Sequence, residues 1–353
     1  MSHSAKNKLT IIVIFSTLFV TVAALLLLIF FHGKKSYTVT FELNGGTLIS
    51  GTLVQSVTRG QNASPPSVTK DGCYFLRWSE SYRQITHDVT VEAVWEYETT
   101  PGIVYSESEN SNFTEIVGAY KYISGDVYIG AYHDSKKLLG IKEGAFSDCI
   151  DITKVYLLDG LITIEANAFS GCVNLAEIAI PETVTRIGDN AFSGCEKLEK
   201  LTLNEGLVEI GANAFANCTS LKEIVIPKSV TKIDKSAFEG CENLEKLVLN
   251  EGVLEISANA FANCISLEEL IIPESVTKID ESAFSGCEKL ETLVLNEGLL
   301  EISSNAFANC ISLKEVIIPV SVTNLDPSAF YGCEDIVIKY ADEIDGGESD
   351  SQQ

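Results

Sequence analysis

The chain has 353 residues, 46% of them hydrophobic, and a formal net charge of −24 from 25 basic and 49 acidic side chains. That length and apolar content suffice for a sizeable core and for two or three domains. The acidic balance excludes a nucleic-acid binder, because phosphates need a basic footprint.

Residues 1–8 are a short polar head, expected on the cytoplasmic side, and 9–31 are 23 residues without a charge. As a helix this stretch is about 35 Å long, enough for a hydrocarbon layer of about 30 Å. A cleaved signal peptide ends its apolar run in small residues. This run ends Leu28-Ile29-Phe30-Phe31, which favours an uncleaved transmembrane signal anchor. Lys6 and Lys8 on one flank balance Lys34 and Lys35 on the other, so flanking charge leaves the orientation open.

Residues 37–97 read as strands punctuated by turns: Tyr37 to Phe41 alternates, Asn44-Gly45-Gly46 turns, and Val89 to Trp95 alternates again. The order V-x-F-x-x-N-G-G at Val39 to Gly46, then Lys70, Phe75, Trp78 and a closing Val91-x-Ala93-x-Trp95, resembles the internalin-type B repeat. The resemblance implies a β-grasp-like unit with both tryptophans in its core. Cys73 and Arg77 stand where that family usually has tyrosine and glycine. Residues 98–112, polar and containing Pro101 and Gly102, read as a linker, and the irregular, aromatic stretch 113–137 as an N-terminal cap.

From residue 138 to 340 an Ala-Phe-x-x-Cys signature repeats. Its cysteines, Cys149, Cys172, Cys195, Cys218, Cys241, Cys264, Cys287, Cys310 and Cys333, are 23 residues apart, implying nine turns. In the unit Leu198 to Ser220 the regular apolar positions are Leu198, Leu201, Leu203, Leu207, Ile210, Ala214, Phe215 and Cys218. The L-x-x-L-x-L start is a short strand that cannot bury its apolar face alone, so neighbouring units must stack. A 46-residue period is superimposed: Pro181, Pro227, Pro273 and Pro319 follow the strand in alternate units, and Asn204, Asn250 and Asn296 in the others. Proline cannot continue a central ladder and Asn tolerates left-handed geometry, so both read as strand-ending turns.

This combination resembles the BspA-type leucine-rich repeat over Leu138 to Tyr340, which implies a cell-surface protein used in adhesion. The expected fold is mainly β: a leucine-rich-repeat solenoid of about nine 23-residue units, preceded by a small β-grasp-like domain and an N-terminal transmembrane helix. Both resemblances are to extracellular modules and place the C-terminal domains outside a single-pass cell membrane, with the N-terminus inside. Lys339 falls where a core Leu would stand, which suits a terminal cap, and 341–353 is an acidic tail without apolar periodicity, expected to be disordered.

Ten cysteines in an exported chain invite a disulfide reading. Parallel Cβ vectors within a column, an odd count of nine, and the burial that free Cys prefers favour a ladder of buried thiols. No C-x-x-C pair, histidine ligand spacing, phosphate loop or G-x-S-x-G elbow is present, so no metal, cofactor or catalytic role is expected.

Side chains alternate along a strand, so the residue between the last two core positions of L-x-x-L-x-L points outward. That column reads Tyr156, Ala179, Thr202, Val225, Val248, Ile271, Val294 and Ile317. Two residues earlier lie Lys154, Glu177, Lys200, Glu223, Lys246, Glu269, Thr292 and Glu315. Strand propensity and cross-strand charge pairing account for both columns structurally. The functional reading makes Val225, Val248, Ile271, Val294 and Ile317, rimmed by Lys200, Glu223, Lys246 and Glu269, a surface for a protein or glycan partner. Self-association through the stripe and a purely architectural spacer are the alternatives.

Overall fold

The computed structural model describes residues 35–70, 73–97, 99–106, 112–134 and 136–342. They fall into two compact units, divided between Tyr97 and Glu98. The anchor expected at 9–31 and the tail from 343 onward lie outside the described residues. Among those described, no helix is long and apolar enough to cross a membrane.

The first unit is built on a four-stranded sheet in the order Val54–Thr58, Ser36–Glu42, Val89–Tyr97, Cys73–Trp78. Its chain-first and chain-last strands run parallel at the centre and both outer pairings are antiparallel, a β-grasp-like arrangement. Strand alternation sends Val39, Phe41, Val91 and Ala93 inward. Phe41 meets Trp78 edge-on at 4.8 Å. Trp95 is half-buried, and its indole N–H donates to the Leu43 carbonyl at 2.8 Å. Both tryptophans therefore pack, as the resemblance implied.

The second unit is a solenoid of ten rungs with two sheet faces. One face is a 12-stranded sheet running from Ile103–Tyr105 through Phe113–Ala119 and Lys136–Ile141, then through two-residue strands such as Glu209–Ile210, to Asn324–Leu325. The other face carries the L-x-x-L-x-L strands. Between the faces, Leu198, Leu201, Leu207, Ile210, Ala214, Phe215 and Cys218 are buried, and Leu203 packs half-buried against them. The phenylalanines form one continuous stack from Phe146 to Phe330, with ring centroids 4.9 to 5.4 Å apart.

Beside that stack all nine cysteines of the column are free thiols. From Cys172 onward each donates its S–H to the phenylalanine carbonyl one turn earlier, as Cys218 does to Phe192 and Cys241 to Phe215, both at 3.4 Å. The thiol is thus a polar group buried with its acceptor, which satisfies the requirement that burial imposes.

The left-handed positions also alternate. Asn217, Asn263 and Asn309 adopt φ of 59 to 60°, and Gly240, Gly286 and Gly332 occupy the same place in the next turn. A Cβ on Gly240 would lie 2.6 Å from Asn217 Oδ1, so each Asn side chain uses the space its neighbour's glycine leaves. Gly240→Ala is expected to cost about 1–2 kcal/mol for left-handed backbone alone, plus a clash. Asn217→Gly in the same chain should recover the clash and leave the backbone cost, so equal losses in both backgrounds, read by denaturant melts, would contradict this packing.

Three sequence expectations change. Residues 113–137 are a tenth turn and not a separate cap: Phe113–Ala119 pairs with Lys136–Ile141 on the long sheet, and Gly125–Ile129 with Ile152–Leu157 on the other. Ile103–Tyr105, inside the stretch read as a linker, pairs antiparallel with Phe113–Ala119, as its Ile-Val-Tyr composition favours. Lys339 occupies the outward column beside Ile317, because the last strand is offset by 22 residues from its partner; Ile338 and Tyr340 continue the columns of Val316 and Ile318 but, at the end of the array, are exposed.

Candidate functional site

The 46-residue period has a physical basis on the L-x-x-L-x-L face. In a parallel ladder successive residues address opposite neighbours. Ile272 N–H bonds forward to the Val294 carbonyl at 2.9 Å, so Pro273 faces the preceding unit and has no N–H to give. Pairing is accordingly full from a Pro unit to the next Asn unit, with Glu223–Ile226 matched to Lys246–Leu249 along its whole length. From an Asn unit to the next Pro unit it thins. Only Lys246 and Glu269 pair at one such step, and the sheet divides between Lys200–Thr202 and Glu223–Ile226 and between Thr292–Val294 and Glu315–Ile318.

Side chains reinforce both kinds of step. Asn250 and Asn296 donate their amides back to the Ile226 and Ile272 carbonyls at 3.1 and 2.8 Å, closing each Pro–Asn pair. Asn204 does the same toward Ile180, and it is buried and not left-handed, contrary to the turn role its sequence suggested. Across the seam, Glu251 accepts from the backbone N–H groups of Glu274 and Ser275 at 3.2 and 3.0 Å, and Glu297 from Val320 and Ser321. These carboxylate clamps replace the ladder bonds that proline removes.

The seam between Val248 and Ile271 opens as a groove of about 400 Å³. Its lining includes Leu247, Val248 and Ile271, with Glu245, Lys246, Glu268 and Glu269 beside them. Val225, Ile271, Val294 and Ile317 are exposed, Ile271 by 50%, while Val248 is half-buried. The structure thus brings Lys246, Val248, Glu269 and Ile271 together in one depression and places Val225, Val294 and Ile317 on flanking rungs. Lys200 lies farther along and contacts Glu177 at 3.9 Å. Among the described residues Glu223, Lys246 and Glu269 form no ion pair, so their charges face solvent beside apolar side chains.

Sequence reasoning missed Glu245 and Glu268, which precede the strand and join the rim only when successive turns stack. It also missed Tyr128, whose ring stacks on Tyr156 at 4.6 Å. The signal was present: Val127-Tyr128-Ile129 repeats the Val155-Tyr156-Leu157 pattern at an irregular offset.

Residues 139–244 and 208–337 match the BspA type Leucine rich repeat region, and residues 37–95 the Listeria-Bacteroides repeat domain. A comparison with curated proteins gives no match. Among solved structures, a leucine-rich repeat protein from Bacteroides ovatus is 28% identical, with a TM-score of 0.61 over 69% of this chain and 67% of its own. The leucine-rich repeat protein of T. pallidum is 24% identical, with a TM-score of 0.46 over 61% of this chain and 91% of its own. The repeat match spans more than half of the chain, and the protein belongs to the BspA-type leucine-rich-repeat family.

Proposed function

We propose that this is a membrane-anchored, adhesin-like cell-surface binding protein that presents the outward face of its L-x-x-L-x-L strands to a protein or glycan partner. The observation that carries the reading is the groove at the Val248–Ile271 seam, where exposed Ile271 and half-buried Val248 lie beside Lys246 and Glu269, which form no ion pair among the described residues. Contiguous exposed apolar surface with a polar rim is the usual composition of an interaction site. The regular units repeat the same residues and do not converge unlike ones, which favours recognition over catalysis.

Replacing Val248, Ile271 and Val294 together with Glu should abolish adhesion of cells displaying the full chain to immobilised matrix while leaving thermal unfolding nearly unchanged. Outward positions carry little packing, so the two effects separate. Undiminished adhesion would exclude the face and favour the architectural spacer. A concentration-dependent sedimentation coefficient lost in the same variant would instead assign the stripe to self-association. The anchor at 9–31 and the extracellular placement belong to this proposal. Protease added to intact cells should then reach the repeats, and their full protection would reverse the orientation.

A further inference from the structure

At the Val248–Ile271 seam the 46-residue duplication breaks its own charge pattern. Lys222 and Lys314 stand one period before and one period after Glu268. Glu245, Glu268 and Glu291 therefore follow one another on consecutive rungs, where the period would have placed a base between two acids. The stacking is direct: Glu291 N–H donates to the Glu268 carbonyl at 2.9 Å, and Lys246 pairs with Glu269 at the preceding step. Like charges on adjoining rungs lower stability. Among the described residues no side-chain hydrogen bond or ion pair compensates any of the three carboxylates. A local rule broken with no gain inside the chain is expected where the residues act on a partner.

Beside these acids the groove is apolar. Only Lys246 and Glu269 pair across the seam, and beyond them buried Leu247 and Leu249 line the space between Val248 and Ile271. Val248 follows Lys246 by two residues, and Ile271 follows Glu269 by two, so each pair points outward together, about 7 Å apart along its strand. An extended peptide has the same two-residue period. Laid along the seam, it can seat an aliphatic side chain between Val248 and Ile271 and carry a long side chain, two positions away, over Lys246 and Glu269 toward Glu245 and Glu268. The lining holds three carboxylates and one ammonium, so charge complementarity makes that second side chain a cation. Glu269 offsets Lys246 beside it. Glu245 and Glu268 remain, on adjacent rungs about 5 Å apart. Two carboxylates at that spacing suit the planar, five-donor fork of a guanidinium better than the point charge of an ammonium. Its aliphatic stem covers apolar surface on the way.

We propose that this groove binds an extended segment of a protein partner carrying an aliphatic residue and, two positions from it, an arginine: the aliphatic side chain seats between Val248 and Ile271, and Glu245 and Glu268 hold the guanidinium. The inference rests on the groove being a partner-binding surface and narrows the partner there from protein or glycan to a basic protein segment. A glycan bearing carboxylates or sulfates would be repelled by the same three acids. At the equivalent seam after Thr202 the second acid is Lys222, and after Val294 it is Lys314, so recognition is confined to one site per chain.

The probe is the acetylated and amidated peptide Gly-Ser-Leu-Ser-Arg-Ser-Gly, titrated calorimetrically into the full chain in a non-ionic polyoxyethylene detergent, against a detergent blank. Binding to one site is expected, and it should weaken in salt because the cation stays near solvent. Citrulline in place of arginine keeps the shape without the charge and should bind about tenfold more weakly, the loss of one charge-assisted hydrogen bond. Lysine in place of arginine should also bind more weakly. Glu268→Lys should weaken the arginine peptide by about tenfold on the same ground. Its circular dichroism melt should be unchanged or raised, because Lys222 and Lys314 show that the fold accommodates lysine at this position. Ile271→Ser should weaken binding too. No binding of the arginine peptide overturns the proposal, as does equal binding of the citrulline or lysine peptide, or binding undiminished in Glu268→Lys or Ile271→Ser. Heparin-oligosaccharide binding that Ile271→Ser removes would assign the groove to an acidic glycan and overturn it as well. If the peptide fails while adhesion is still lost in the Val248, Ile271 and Val294 variant, this inference falls and the adhesion reading stands. If the peptide binds while that variant adheres undiminished, the adhesion reading falls alone.

Discussion

Raising the pH above about 9 is expected to unfold the solenoid over a narrow range, because the thiol column can ionise only after it is exposed. Burial pushes the thiols of Cys172, Cys241 and Cys287 from an ordinary 9.0 up to about 12. It holds Cys195, Cys218 and Cys264 well above the ordinary value too. Between those limits the unfolded chain has released protons that the folded chain retains, so stability falls as pH rises; below pH 9 both states are protonated and the effect vanishes. Each thiol contributes a slope of about 1.4 kcal/mol per pH unit, and six acting on one array give about 8 kcal/mol per pH unit. Against a typical native stability of about 5–15 kcal/mol, the array should melt by about pH 10–11. A pH titration followed by circular dichroism and by thiolate absorbance should show coincident transitions. General repulsion in so acidic a chain would be screened by salt, whereas the desolvation of buried thiols would not. An unchanged midpoint in high salt, and a shallower pH dependence in Cys241→Ala, are the expected results. A solenoid still folded at about pH 12 would refute the account.

The ends of the column behave differently. The neighbouring Cys333 thiol, together with burial, raises Cys310, and Cys310 in turn lowers half-buried Cys333. Cys333 is therefore the column member from which ionisation should start, and loss of the final turn should precede the main transition.

Much of this architecture was legible because burial obeys two short periods. Alternation along L-x-x-L-x-L and the fixed place of Ala-Phe-x-x-Cys identify both inner surfaces of the solenoid, and Leu201, Ile210, Phe215 and Cys218 lie where that pattern puts them. What escaped was whatever breaks the fixed spacing or depends on two turns at once. Tyr128 pairs with Tyr156 at an offset of 28 residues and Ile317 with Lys339 at 22, so a period of 23 hides the first turn and misplaces the last. The amide of Asn250 and the carboxylate of Glu251 bond to neighbouring units on opposite sides, which no local pattern announces. The outward column was correctly traced as a list of residues. Its division into paired rungs and an open seam came from proline withdrawing a donor from one side of each Pro unit.

The phenylalanine stack converts this same nearest-neighbour logic into an expectation about cooperativity. Phe238 is fully buried, with Phe215 and Phe261 each 5.2 Å away. Phe238→Ala should cost about 3–5 kcal/mol, since the ring leaves a cavity that rigid neighbours on both sides cannot fill. Among the described residues Phe330 stacks on Phe307 alone, at 5.4 Å, and is 8% exposed, so Phe330→Ala should cost less than half as much. The larger difference lies in how the loss is distributed. A solenoid is held by contacts between adjacent turns, and the interfaces on either side of Phe238 are the route by which one half stabilises the other. Weakening them should divide a single denaturant transition into two, with the C-terminal half, which lacks the broad strands of the first turns, unfolding first. Phe330→Ala should shift the transition without splitting it. Equal costs at the two positions, or a single transition of undiminished steepness in Phe238→Ala, would mean that the turns are coupled mainly through the sheet ladders and not through the aromatic stack.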